Sequence, residues 1–65
     1  MVEQMTKAQA RGWIRRVRED LRDTEAALRG GNNDALYDAM ADASAAAAEV
    51  QSAAEDGLVR GMRTA

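Results

Sequence analysis

The stretch Leu28-Arg29-Gly30-Gly31-Asn32-Asn33-Asp34-Ala35-Leu36 (LRGGNNDAL) decides how this 65-residue chain folds. It gathers two of the five glycines and both asparagines in a sequence otherwise dominated by helix formers. Gly30 and Gly31 can adopt the left-handed conformation that ends a helix, because without a Cβ there is no clash to pay for. Asn32 or Asn33 can then accept hydrogen bonds from the free N–H groups of a new helix, with Asp34 favourably placed in its first turn against the helix dipole. The stretch reads as a stop followed by a start. So short a connection sends the second helix back antiparallel along the first, as an αα-hairpin.

Upstream, Thr6 and Gln9 have the spacing of a capping box, in which the Thr hydroxyl accepts from the Gln backbone N–H and the Gln side chain reaches back. From there Ala10, Ile14, Val17, Leu21, Thr24 and Leu28 recur at alternating steps of four and three, the rhythm of helices that pack side by side. Downstream of the turn Leu36, Met40, Ala43, Ala47, Val50 and Ala54 keep the same spacing, and Leu58 and Met62 continue it. The pattern predicts one all-α domain over residues 1–65, with helix 1 about 6–29, a turn at 30–33 and helix 2 about 34–62. Gly12 weakens the first helix by about 1 kcal/mol relative to Ala, and Gly57 and Gly61 predict fraying after residue 57.

The apolar stripes are thin. Half of the 46% hydrophobic content is alanine; phenylalanine is absent, and Trp13, Tyr37 and Ile14 are each the sole residue of their kind. A core of this length and composition supplies no more than about 3–5 kcal/mol, and without cysteine or histidine neither a disulfide nor a structural zinc site can add to it. Beside the second stripe Ala35, Ala39, Ala46 and Ala53 form a further alanine surface, which invites close approach by another helix. A hairpin supplies only one neighbour. The expected assembly is therefore a homodimeric four-helix bundle with Ile14, Val17, Leu21, Leu28, Leu36, Met40, Ala43, Ala47, Val50 and Ala54 along its core and dimer seam. Trp13 and Tyr37 flank the two stripes, as lids on the bundle or as anchors for a partner.

Charge is divided between the arms. Residues 1–29 hold seven basic and five acidic side chains, a balance of +2, whereas residues 30–65 hold two basic and six acidic, a balance of −4. Arg11, Arg15, Arg18, Arg22 and Arg29 form a ridge on helix 1, roughly 100° round from its apolar stripe. Such a ridge can grip phosphates, or it can lie along the bundle edge and pair with carboxylates. The acidic total, a net charge of −2, favours the pairing role, since nucleic-acid-binding domains usually carry a positive balance. On helix 2 Asp34, Asp38, Asp42, Glu49 and Asp56 line the back, a solvated face or an anionic surface for a basic partner.

The residues for catalysis are missing. No histidine or cysteine is present, Ser44 and Ser52 lack an activating base, and Arg29-Gly30-Gly31 has neither the spacing nor the lysine of a phosphate-binding loop. Adjacent acids such as Glu19 and Asp20, or Glu55 and Asp56, point to different sides of a helix. No enzyme activity, metal or cofactor is expected. No run approaches the roughly 20 apolar residues of a membrane span, and no basic segment leads into an apolar one, so a soluble, cytoplasmic protein is expected.

In plan, two helices of similar length with a tight turn and an expected dimer, the chain resembles the Rop family of plasmid copy-number regulators, and Met5-Thr6-Lys7 is similar to the start of that family's hairpin. The resemblance implies binding of paired RNA hairpins through the first helices, which here carry the arginine ridge. The family's core-filling pattern, RNA-facing aromatic and cysteines have no counterpart in this sequence, so the likeness is architectural. The leading expectation is a regulatory or scaffolding module that binds itself and an unidentified protein partner. The alternatives are an RNA- or DNA-binding dimer using the ridge, and an acidic inhibitor that docks on a basic groove of a host target.

Overall fold

A computed structural model describes residues 4–63 of the chain. It consists of α1, Lys7–Gly30, and α2, Asn33–Glu55, packed side by side as an antiparallel hairpin. The molecule is a rod of 43 × 22 × 17 Å with a radius of gyration of 14.2 Å, against about 11 Å for a globular domain of this length.

Each helix end has an identifiable cause. Thr6 caps α1 through the full capping box: its hydroxyl accepts from the Gln9 N–H at 3.0 Å, and the Gln9 side chain accepts from the Thr6 N–H at 2.9 Å. At the other end Gly31 is left-handed, with φ 69°. Its N–H donates to the Leu28 carbonyl at 3.2 Å while the Asn32 N–H donates to the Ala27 carbonyl at 3.0 Å, the paired bonds of a Schellman motif. Asn32 then caps α2, its side-chain oxygen accepting from the Ala35 N–H at 3.1 Å. The stop and the start thus occupy adjacent residues.

The second helix ends earlier than its apolar rhythm predicts. It stops at Glu55, not near residue 62, because Gly57 at φ 68° repeats the device used at Gly31. The Gly57 N–H donates to the Ala54 carbonyl at 3.1 Å and the Leu58 N–H to the Ala53 carbonyl at 2.8 Å. The following segment does not fray among the described residues. It turns back and clasps the start of the chain: the Met5 N–H donates to the Leu58 carbonyl at 2.7 Å, and the Arg60 N–H to the Met5 carbonyl at 2.8 Å. Replacing Gly57 by Ala should cost about 1–2 kcal/mol, since a Cβ is disfavoured at that φ. Urea titration of G57A checks this; an unchanged midpoint would show that the stop contributes nothing.

The stripe that the sequence favours is not the interior of the hairpin. Of its ten residues Ala43 alone is buried, Val17, Leu36 and Val50 are half-buried, and Ile14, Leu21, Leu28, Met40, Ala47 and Ala54 are exposed. The interior runs one register to the side. On α1 it consists of Ala10, Trp13, Val17, Asp20, Thr24 and Ala27, and on α2 of Leu36, Ala39, Ala43, Ala46, Val50 and Ala53, again at steps of three and four. The two registers share Ala10, Val17, Thr24, Leu36, Ala43 and Val50. On α2 the inner register takes Ala39, Ala46 and Ala53 in place of Met40, Ala47 and Ala54, and on α1 Trp13, Asp20 and Ala27 in place of Ile14, Leu21 and Leu28; two lone helices gain most dispersion contact where the alanines of α2 let the backbones come close. The buried side chains are five alanines: Ala10, Ala27, Ala39, Ala43 and Ala46.

Asp20 is the odd member of this interior. Its Oδ2 is covered and has no hydrogen-bond partner, while its backbone carbonyl accepts from the Thr24 hydroxyl at 2.8 Å. Covering a polar atom without a partner is unfavourable. Asp20→Ala should therefore raise stability by about 1 kcal/mol, and Ala is also the better helix former. A lowered thermal midpoint for D20A would contradict this.

Candidate functional site

The register that packs the hairpin leaves its second apolar stripe uncovered. On α1 the stripe is Ile14, Leu21 and Leu28, at 42%, 44% and 68% exposure, and on α2 it is led by Met40 at 46%. Ala47 and Ala54 follow Met40 at steps of seven residues. In an antiparallel pair the helical repeat turns both stripes to the same side. At the open end Ile14 of α1 and Val50 and Ala54 of α2 line one groove of 320 Å³, floored further by Val59 and Met62 and rimmed by Lys7, Arg11 and Arg63. At the turn end Leu28 and Leu36 line one hollow with Asn32 and Asn33. A continuous apolar face therefore runs the length of the rod.

The surface area gives a measure of what this leaves undone. The chain exposes 5393 Å²; a folded monomer of 7.0 kDa ordinarily exposes about 4,000 Å². The excess is larger than the roughly 800 Å² that each partner contributes to an interface of standard size.

The arginine ridge borders the apolar face on its α1 side. Arg11, Arg15, Arg18, Arg22 and Arg29 are exposed, and among the described residues the ridge makes one ion pair, Arg29 to Glu25 at 3.8 Å on the same helix. At that exposure the pair contributes little. Along the α2 edge of the face lie Tyr37, Ser44, Gln51 and Glu55, with Tyr37 at 75% exposure. The two aromatics therefore differ: Tyr37 stands free, and Trp13 is half-buried on the opposite side of the hairpin. There it lines shallow hollows with Gln9 and Ala53, and with Arg16, Asp42 and Glu49.

Among the described residues no three acidic side chains cluster as a metal site, and no helix is long and apolar enough to cross a membrane. What sequence reasoning missed is the alternate register and the clasp. The signal for the first was the alanine surface of α2; for the second it was a glycine followed at once by Leu58, the hydrophobic residue that completes a Schellman stop. No family model, curated protein or solved structure matches the chain.

Proposed function

We propose that the chain works by self-association: a second copy covers the apolar face, and the resulting homodimeric four-helix bundle serves as a non-enzymatic regulatory or scaffolding module that acts through protein contacts. One observation carries this reading. A hairpin whose buried side chains are all alanines keeps Ile14, Leu21, Leu28 and Met40 exposed to water, so its larger apolar groups still have their burial to gain, at about 25 cal/mol per Å². Light scattering on the purified chain tests it. The expected mass is twice the 7.0 kDa of one chain; a single-chain mass at micromolar concentration would reject the proposal.

The ridge supports a second reading, binding of nucleic acid, because four of its five arginines have no ion-pair partner among the described residues. An electrophoretic shift at low salt that weakens when Arg11, Arg15, Arg18 and Arg22 become Ala would support it. A chain that leaves RNA and DNA unshifted at low salt would exclude it.

A further inference from the structure

Two hairpins can close face to face about a two-fold axis in two ways, both with antiparallel neighbours. With the axis along the helices, α1 lies over the partner's α2 and both turns come to the same end. With the axis across the helices, α1 lies over α1, α2 over α2, and the turns sit at opposite ends. Two independent properties of the exposed face distinguish these arrangements.

The first is size. At equivalent positions the face presents Ile14, Leu21 and Leu28 on α1 but Met40, Ala47 and Ala54 on α2. Stacking α1 on α1 sets large against large, and it leaves the alanines of two α2 helices facing each other across a gap. One spacing cannot suit both pairs. Stacking α1 on α2 sets Ile14 and Leu21 of one helix against the alanines of the other over most of the face, with Met40 the one large residue of the α2 row, which fills the layers at nearly a single spacing.

The second is charge. α2 contains five acidic and no basic residues, whereas α1 contains seven basic and four acidic. Like pairing brings two arginine ridges together along one edge of the bundle. Crossed pairing sets each ridge beside an edge formed by Tyr37, Ser44, Gln51 and Glu55, which holds a carboxylate and an aromatic ring and no cation. Because the hairpin is antiparallel, Arg11 shares the open end with Glu55 of the partner subunit, and Arg29 shares the turn end with Tyr37 of the partner subunit. Opposite charge and a cation over a ring face both favour that juxtaposition.

We infer that the second copy docks with its α2 against α1 and with the two turns at one end of the bundle. This rests on the self-association proposed above and specifies its geometry. It places the two arginine ridges on opposite sides of the dimer, so they do not merge into one basic surface.

Nitroxide labels at the turn test the pairing, and the absence of native cysteine makes the labelling specific. Gly30→Cys suits the purpose, because a Cβ at Gly30 meets nothing within 4 Å. In the full-length chain the crossed dimer should give a label separation of about 15–25 Å, the diagonal of a bundle with 8–10 Å between axes plus the label arms. Ser52→Cys, toward the open end, should give dipolar coupling in either arrangement and so reports on self-association alone. A separation of roughly 35 Å or more at the Gly30 site, the length of α1 at 1.5 Å per residue, would overturn the pairing and leave self-association standing. No dipolar coupling at either site, with a single-chain mass, would overturn both.

Discussion

Ala46→Leu should remove about half of the protein's stability. Ala46 is the most deeply buried side chain, at 2% exposure, and it lies on the face of α2 that meets α1. Three added carbons press on α1 or on Trp13 across the shallow hollow that Ala46 borders, which pushes the helices apart along the row that holds Ala39, Ala43 and Ala53. Overpacking of this kind costs about 1–3 kcal/mol and occasionally more, against the roughly 3–5 kcal/mol that so small a core supplies. Thermal unfolding of A46L followed by circular dichroism should show a steeply lowered midpoint. Ala41→Leu, on the exposed side of the same helix, should change stability by less than about 0.5 kcal/mol. Equal midpoints for the two variants would show that α2 does not approach α1 through its alanines.

Leu21→Asp should weaken association by at least about 100-fold without changing any residue of the alanine interior. Leu21 is 44% exposed within its own chain and sits midway along the uncovered face. In a two-fold dimer the substitution appears twice. Each copy removes an apolar side chain whose burial is worth about 1.5–3 kcal/mol and adds a carboxylate that must leave water. A tenfold change in the dissociation constant corresponds to 1.4 kcal/mol, so even partial burial of the two sites reaches that magnitude. Sedimentation velocity on L21D should show single chains at concentrations where the native protein is paired. An unchanged sedimentation coefficient would show that this face is not the interface.

These two substitutions separate two surfaces that the sequence presents together. The hairpin itself was legible: the glycine pair, the asparagine cap and the Thr6–Gln9 capping box each specify a local geometry, and each appears where the residues place it. Local hydrogen bonding decides such features, so a short window contains the information. The choice of inner register was not legible in the same way. A four-three rhythm is compatible with two adjacent stripes that share Val17, Ala43 and Val50, and ranking them by hydrophobicity selects the larger residues. Two helices in isolation select the alanine row of α2, because alanine permits the closer approach. The helix end at Glu55 was missed for a related reason: the apolar spacing continues through Leu58 and Met62, yet Gly57 breaks the helix and turns those residues back toward Met5.

The same division accounts for the content of the site. Arg11, Arg15, Arg18, Arg22 and Arg29 share an edge because a helix turns about 100° per residue, and that much follows from spacing alone. Their position beside an uncovered apolar face depends on which register the hairpin uses inwardly. Only with α2 in place does the ridge become the border of an apolar face.

Thermal unfolding followed as a function of protein concentration tests the central claim most directly, namely that the hairpin depends on a second copy for its stability. If folding is coupled to pairing, the midpoint must rise steadily as the chain is concentrated over a range of about a hundredfold, because mass action stabilises only the associated state. A midpoint independent of concentration, with full helical signal at the lowest concentration, would show a hairpin that persists alone with Ile14, Leu21 and Met40 in water, and would contradict the account.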